Sequence, residues 1–253
     1  YKRKFFVDKT WGGQPHSRYN ATEHTHAQFA AMISRLDIYV GQIMQKLKEK
    51  GLDDNTIVIF TSDNGPHEEG GADPAFFGRD GKLRGLKRQC YEGGIRIPFI
   101  VRWRNHIAAG TESDLQIAFY DLMPTFCELA GVKNYQKRYA NKKQKVDYFD
   151  GISFAPTLLG QPQPKKHAHL YWEFSETNQI GVRMGDWKMV VIKGIPHLYD
   201  LSKDLHEDHD VAAEHPEIVQ RMTQIIQEEH VDSSLFPVTL PTTIQASEHK
   251  KQR

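Results

Sequence analysis

Two side chains that could bind a cation through oxygen follow shortly after a continuous apolar run. The run at 56–60 reads Thr-Ile-Val-Ile-Phe, and Asp63, Asn64 and Gly65 follow after two further residues. The carboxylate of Asp63 and the amide oxygen of Asn64 are hard ligands of the kind that Ca²⁺ and Mg²⁺ prefer. The pair therefore predicts part of a cation site. Asp-Asn-Gly is also good turn chemistry, so a plain Asx turn is the alternative.

The elements before this pair predict an α/β unit. Apolar residues recur at three- and four-residue spacing over 29–47, which is typical of an amphipathic helix, and Gly51 fits its C-cap. The run at 56–60 is apolar and β-branched, as in a strand buried on both faces of a parallel sheet. Ligands in open α/β sheets bind beyond the carboxyl ends of the strands, and the Asp-Asn pair is expected there.

The segment from Asp63 to Gly94 is too long for an ordinary connection, and it is rich in glycine and charge. Loops of this length are usually functional or disordered. His67 lies just after the Asp-Asn pair, where it could contact a substrate hydroxyl or transfer a proton. A loop histidine bonded to the backbone is the alternative.

The remainder of the chain predicts a second, smaller part. A strand is expected at 95–103, where Pro98 suggests an edge or a bulge, and a helix at 118–130. Short strands and a closing helix then indicate a small antiparallel sheet, at 169–174, 180–184, 187–192 and 216–228. The predicted regions are an α/β part at 1–164, an α+β subdomain at 165–233 and a polar tail at 234–253.

Composition sets broad limits on function. The chain has 253 residues, of which 39% are hydrophobic and 26% charged, as in a globular protein. The formal net charge of +1 gives no general attraction to nucleic acid, and no apolar run is long enough to span a membrane. Because Tyr1 is not an initiator methionine, the lack of a targeting segment is uninformative about the compartment of the protein. A disulfide between Cys90 and Cys127 is possible but not implied.

Three motifs in succession give a specific resemblance. They are Ser-Asp-Asn-Gly-Pro-His at 62–67, Leu-Arg-Gly-x-Lys at 83–87 and Tyr-Glu-Gly-Gly-Ile-Arg-Ile-Pro at 91–98. In this order the sequence resembles the type I, formylglycine-dependent sulfatases of the alkaline-phosphatase-like superfamily. The resemblance runs from about residue 28 to 230 and includes fragments of the C-terminal subdomain.

The resemblance implies a fold, an activity and a set of site residues. The chain would be the C-terminal part of an alkaline-phosphatase-like sheet flanked by helices, followed by the small subdomain. It would belong to an enzyme that hydrolyses a sulfate ester, on a glycan or a small molecule. Asp63 and Asn64 match the family's calcium ligands, with Mg²⁺ also possible. Lys87 matches the lysine directed at the sulfate, where its ammonium would stabilise developing negative charge. A solvated surface lysine is the alternative.

The sequence departs from the family in its nucleophile. No Cys/Ser-x-Pro/Ala-x-Arg motif surrounds Cys90, Cys127 or any serine. The formylglycine, two further aspartate ligands and a Lys-x-His pair are therefore expected in an N-terminal half that this sequence lacks. We expect the chain to need that half as a partner and to be inactive alone. Family analogy would place the protein in the periplasm, outside the cell or in a lysosome.

Two other functions are possible. The first is a phosphodiesterase or phosphatase of the same superfamily, although the Asp-Asn pair disfavours the His and Asp ligands of paired zinc. The second is a truncated chain without catalysis. Arg84, Arg96 and Glu92 are expected to organise the loop, and Trp172 is expected to pack in the small sheet rather than stack on a sugar.

Overall fold

The computed structural model describes residues 4, 8–13, 19–78, 83–133 and 149–241. These residues divide into two compact units that interleave along the chain. The first comprises Tyr1–Ile43, Thr61–Phe99 and His169–Arg253, and the second Met44–Phe60 and Ile100–Ala168. The predicted boundary at 164/165 remains a prediction. Gly81 and Lys82 of the second motif and the last twelve residues of the predicted tail lie outside the described residues.

The predicted first helix is confirmed as α1, Thr25–Glu49. Its start is capped from a distance, since the Asp8 carboxylate accepts the backbone N–H groups of His26 and Ala27 at 2.9 and 3.1 Å. Its end is a Schellman motif with Gly51 at φ +67°, where Leu52 N–H donates to the Leu47 carbonyl at 2.9 Å. The C-cap expected from the sequence is therefore confirmed.

The two strands of the α/β part pair with each other. β1 is Val58–Thr61 and β2 is Phe99–Arg102, and they form a two-stranded sheet. Burial of β1 on both faces is not seen in the described residues, because Phe60 is 37% exposed and Ile100 of the neighbouring strand 61%. The second strand is shorter than predicted: residues up to Ile95 form a helical turn, α2 (Glu92–Ile95), and β2 begins after Pro98.

The second unit contains a helix that is tied to the following segment by a buried carboxylate. The predicted helix is confirmed as a 3₁₀ turn, Phe119–Asp121, that continues into α3, Leu122–Leu129. Asp121 is fully buried and accepts the N–H groups of Ala118 and Ile152 at 2.8 and 2.7 Å. A short helix that the sequence did not predict, α4 (Ala155–Leu158), follows.

The small antiparallel sheet is confirmed and has one strand more than the periodicity indicated. Its order is β3-β4-β5-β6, with bounds Leu170–Phe174, Gln179–Met184, Trp187–Ile192 and Ile195–Asp200. Adjacent strands are antiparallel throughout. Lys193 and Gly194, at φ +51° and +83°, form the two-residue turn into β6, as a type I′ hairpin requires.

Side chains alternate across this sheet, so each face has a different neighbour. Val182, Met189 and Val191 are among those that pack against the closing helix α5, Pro216–Glu229, which confirms the last predicted helix. Val190 and Tyr199 pack on the other face against Cys90 and Tyr91 of the long loop. The sheet thus provides a hydrophobic scaffold for the segment that carries the third motif.

Two further observations concern the predicted C-terminal tail and the predicted absence of a membrane span. Val238 and Leu240 pack against the core formed by the sheet and α5, so this part of the predicted polar tail is docked. Among the described residues, none of the helices has the length and apolarity needed to cross a membrane.

Candidate active site in the loop after β1

The Asp-Asn pair lies in a tight turn at the carboxyl end of β1. Asp63 is the second residue after the strand ends at Thr61. Ser62 Oγ donates to the Asn64 carbonyl at 3.0 Å, and the Asn64 amide nitrogen donates to the Gly65 carbonyl at 2.8 Å. This contact orients the Asn64 amide, and its oxygen is the group that a cation would bind.

Three glycines permit a close approach of two backbone segments beneath this turn. Gly65 N–H donates to the Gly94 carbonyl at 2.9 Å. A Cβ at Gly65 would overlap the carbonyl oxygen of Gly93 and lie 2.9 Å from the Cα of Gly94. A Cβ at Gly93 would lie 2.6 Å from the Arg84 carbonyl oxygen. The motifs at 62–67, 83–87 and 91–98 are therefore in direct backbone contact, which sequence spacing alone does not show.

The donor set fits part of a calcium site. Asp63 is exposed and Asn64 half-buried, and both provide oxygen. Ca²⁺ takes about six to eight oxygen ligands, so these two are a minority of a complete set. No group of three or more His, Cys, Asp or Glu residues that could hold a metal occurs within the described ranges. Any remaining ligands must come from elsewhere in the protein or from water.

His67 and Lys87 meet at the carboxylate of Glu69. Lys87 Nζ lies 3.7 Å from Glu69 Oε2, and His67 Nδ1 lies 3.9 Å from the same oxygen. Lys87 N–H also donates to the Pro66 carbonyl at 2.7 Å, which fixes the lysine beside the first motif. These two predicted site residues thus lie together, and the backbone at 65–66 connects them to the Asp-Asn pair.

The hydrogen bonding of His67 fixes its proton. Glu69 N–H donates to His67 Nδ1 at 3.1 Å, so this nitrogen is an acceptor and carries no hydrogen. The neutral ring therefore has its proton on Nε2. His67 is thus bonded to the backbone, as the alternative for this residue expected, and its N–H group is on the other side of the ring.

Glu69, Tyr19 and Arg88 belong to the same cluster, and the sequence did not indicate them. Glu69 Oε2 accepts the Tyr19 hydroxyl at 2.9 Å, and Arg88 donates to Glu69 Oε1. Arg88 Nε also donates to Glu176 at 3.0 Å. The Arg88 guanidinium, followed by the Tyr19 hydroxyl, lowers the pKa of Glu69 to about 2. The carboxylate is therefore charged at any physiological pH.

A buried group of charges holds the Glu-Gly-Gly turn in place. Glu92 is 2% exposed, and its carboxylate accepts Arg183 Nη1 at 2.7 Å and lies 3.1 Å from Lys188 Nζ. The Lys188 ammonium is an ion-pair partner here rather than a well-aligned hydrogen-bond donor. It also lies 4.8 Å from the centre of the Trp172 ring, so this tryptophan packs in the sheet as expected.

Glu207 completes this buried group. Its Oε2 accepts Glu92 N–H at 2.8 Å, and its carbonyl accepts Arg84 Nη1 at 2.6 Å. Burial raises the pKa of Glu207 to about 7, against the lowering effect of Lys188. The predicted organising roles of Glu92 and Arg84 are consistent with these contacts, and Arg96 Nη1 lies 4.0 Å from Glu92.

Comparison with known proteins identifies the family. The family model described as "Sulfatase" matches residues 3–132, and the model described as "N-sulphoglucosamine sulphohydrolase, C-terminal" matches residues 85–232. The N-acetylgalactosamine-6-O-sulfatase of Bacteroides thetaiotaomicron is 32% identical over 218 residues, which are 78% of this chain and 40% of that protein. Human arylsulfatase A is 29% identical over 261 residues, covering 84% of this chain and 48% of that protein.

A solved structure supports the same assignment. The crystal structure titled Ps i-CgsB superposes with a TM-score of 0.67 at 26% identity and covers 85% of this chain and 45% of that one. The predicted fold class is thereby confirmed, because the structural neighbours are sulfatases of the alkaline-phosphatase-like fold. The chain spans less than half the length of these relatives. Over the part that it spans, this chain belongs to the sulfatase family.

Proposed function

We propose that the protein hydrolyses a sulfate ester on a carbohydrate, with Lys87 and His67 contacting the sulfate and with Asp63 and Asn64 among the ligands of a Ca²⁺ ion. The observation that carries this proposal is the convergence of Lys87 and His67 on one carboxylate beside the Asp-Asn turn. An accessible lysine beside this turn can bind another oxyanion, such as a sulfate group, and the Nε2–H group of His67 is a donor of the kind that sulfate oxygens accept.

Lys87 is proposed to stabilise the transition state. Sulfate ester cleavage places negative charge on the leaving oxygen and on the sulfate oxygens, and a nearby ammonium lowers the energy of that charge. The lysine side chain is about one-third exposed, so a substrate can reach it, while its backbone is tied to Pro66. This combination gives an accessible charge on a fixed segment of chain.

His67 is proposed to donate a hydrogen bond to the sulfate ester through Nε2–H. Its Nδ1 accepts Glu69 N–H, which leaves Nε2–H as the donor of the neutral ring. A donor of this kind can hydrogen-bond a sulfate oxygen or the departing oxygen of the alcohol. Glu69 and the short turn that it begins therefore determine which role His67 has.

The metal and the nucleophile complete the proposed site. Asp63 and Asn64 would supply two oxygens to Ca²⁺, with Mg²⁺ as the second possibility, and the bound cation would offset the charge of the sulfate. A formylglycine outside the residues of this chain would supply the nucleophile. A carbohydrate substrate is supported by the sugar-specific name of the Bacteroides thetaiotaomicron relative.

The test compares Lys87→Ala with Lys48→Ala in the complete protein. Lys48 is an exposed lysine near the end of α1 and provides the same change of charge. On an aryl sulfate and a set of sulfated monosaccharides, Lys87→Ala should lower kcat/KM by a factor of about 10² to 10³. Lys48→Ala should change it less than about twofold.

Metal content tests the cation ligands separately. Asp63→Asn keeps the shape of the side chain and removes its charge, so bound calcium should fall while the melting temperature of the metal-free protein stays the same. Near-normal turnover in Lys87→Ala would remove Lys87 from the proposed mechanism. Full calcium content in Asp63→Asn would likewise remove Asp63 from the metal site.

A further inference from the structure

Glu69 lies where several donors and cations converge. Its Oε2 accepts the Tyr19 hydroxyl at 2.9 Å and lies 3.7 Å from Lys87 Nζ, and its Oε1 accepts Arg88. One lysine, one guanidinium and one hydroxyl are the groups that proteins use to bind sulfate or carboxylate anions. The cluster therefore has the composition of an anion site, and a side chain of the same protein occupies it.

The cluster is open enough for exchange with a ligand. The side chains of Glu69, Lys87 and Arg88 are 29%, 32% and 38% exposed. Ion pairs at this degree of exposure are weak, because water and salt screen them. A ligand that brings its own oxyanion can therefore compete with Glu69 for the same donors.

The backbone around the cluster is specialised. Gly70, which follows Glu69, has φ +68°, and a Cβ there would lie 2.7 Å from the Tyr19 ring. Arg88 has φ +74°, an unfavourable conformation for a residue with a side chain, and Thr177 Oγ1 donates to its carbonyl at 2.7 Å. Packing against Tyr19 thus restricts the turn that contains Glu69. The hydrogen bond from Thr177 restricts the backbone of Arg88.

We propose that Tyr19 and Arg88 join Lys87 in binding the sulfate group of the substrate, and that Glu69 fills this position in the free protein as an internal competitor. The inference rests on the proposed function in taking Lys87 as a sulfate-binding lysine. Substrate binding then requires the Glu69 carboxylate to leave its donors. The apparent affinity for sulfate is then the intrinsic affinity multiplied by the fraction of protein in which Glu69 has left its donors.

Removing the charge of Glu69 should therefore tighten sulfate binding. Glu69→Gln keeps the length of the side chain but holds cations far less strongly than a carboxylate does. We expect inorganic sulfate to bind this variant about three to ten times more tightly than the wild-type protein. Glu68→Gln is the matched control, because Glu68 is the exposed neighbour and loses the same charge. The control should change the dissociation constant less than about twofold.

The measurement is calorimetric titration of the complete protein with sodium sulfate, at an ionic strength held constant with chloride. Adding Arg88→Gln to Glu69→Gln should return the affinity to the wild-type value or below it. Equal affinities for Glu69→Gln and Glu68→Gln, or weaker binding by Glu69→Gln, would overturn the inference. Weaker binding would mean that Glu69 positions Lys87 and Arg88 instead of competing for them.

The Lys87→Ala variant separates this inference from the proposed function. If Lys87→Ala abolishes sulfate binding while Glu69→Gln leaves it unchanged, the competitor role is wrong and the sulfate-binding role of Lys87 stands. Glu69→Gln could instead bind sulfate more tightly while Lys87→Ala binds it as the wild type does. Tyr19 and Arg88 would then form the site without Lys87, and the proposed participation of Lys87 would be wrong. Absence of sulfate binding in both the wild type and Glu69→Gln overturns both proposals.

Discussion

Replacing Gly65 by alanine should destabilise the protein and disturb the Asp-Asn pair. Gly65 is not among the glycines with positive φ, so alanine can adopt its backbone conformation without strain. The whole effect must then come from the added methyl group. That group would overlap the Gly93 carbonyl oxygen and lie 2.9 Å from Gly94 Cα, whereas nonbonded carbon atoms prefer about 3.5 to 4.0 Å.

The opposing segment has little room to retreat. Gly93 N–H donates to the Arg84 carbonyl at 2.6 Å, and Glu92 beside it is held by Arg183 and Lys188. Overpacking against a fixed neighbour costs about 1–3 kcal/mol, and loss of the Gly65–Gly94 hydrogen bond adds about 0.5–1.5 kcal/mol. We therefore expect Gly65→Ala to lower the free energy of unfolding by about 2–4 kcal/mol.

Gly41→Ala is the matched control. Gly41 is exposed in the interior of α1, and a Cβ there would meet nothing within 4 Å. Alanine in a helix interior is favoured over glycine by about 0.8–1.0 kcal/mol, so this variant should be slightly more stable than the wild type. Urea unfolding midpoints measure both changes, and calcium content measures the effect on the metal pair.

The two substitutions add the same methyl group and should shift stability in opposite directions. If Gly65→Ala stays within about 0.5 kcal/mol of the wild type and keeps its calcium, the close packing of the three motifs is wrong. The Asp-Asn pair would then be positioned by β1 alone.

Three other predictions concern the buried charges and the cysteines. Because the folded-state pKa of Glu207, about 7, exceeds its ordinary value of 4.5, its stabilising effect is complete below pH 4.5 and is lost as pH rises through 7. Glu207→Gln should reduce this loss in thermal unfolding followed over that range. Lys188→Met should cost about 2–4 kcal/mol in urea unfolding, whereas Lys203→Met, at a residue 81% exposed, should cost less than about 0.5 kcal/mol. Burial raises the pKa of Cys90 to about 11, so iodoacetamide at pH 8 should label half-buried Cys127 first, and equal labelling would contradict the burial of Cys90.

The regular elements could be predicted because their signals are local. Helix α1 follows from apolar spacing over 29–47 and from Gly51, and the small sheet follows from alternating residues and a Gly-Asp turn at 185–186. β6 lacks a clear alternating pattern, since its exposed Ile195 and the following Pro196 interrupt it. The late start of the strand predicted at 95–103 has a different cause, because residues 92–95 form a helical turn that is closed by the Arg96 N–H donating to the Glu92 carbonyl at 2.7 Å, and Pro98 precedes β2.

The candidate site could be predicted only in part. Asp63, Asn64 and Lys87 are found in motifs, so their types and order are visible in the sequence. The contacts that determine their chemistry are long-range: Tyr19 and Glu69 are 50 positions apart, and Glu92 and Arg183 are 91 positions apart. No periodicity encodes such pairs, so the tautomer of His67 and the charge around Lys87 required the structure.

The buried charges explain why a small sheet is joined to this loop. Placing Glu92, Lys188 and Glu207 away from water opposes stability, and hydrophobic residues of similar size would often serve stability better. The charges hold the Glu92 backbone in place, since its N–H donates to Glu207 Oε2 at 2.8 Å while its carboxylate contacts Arg183 and Lys188. That position determines where Gly94 meets Gly65, and hence where the turn with Asp63 lies. The antiparallel sheet thus acts as a scaffold for the loop after β1, although none of its strands supplies a predicted site residue.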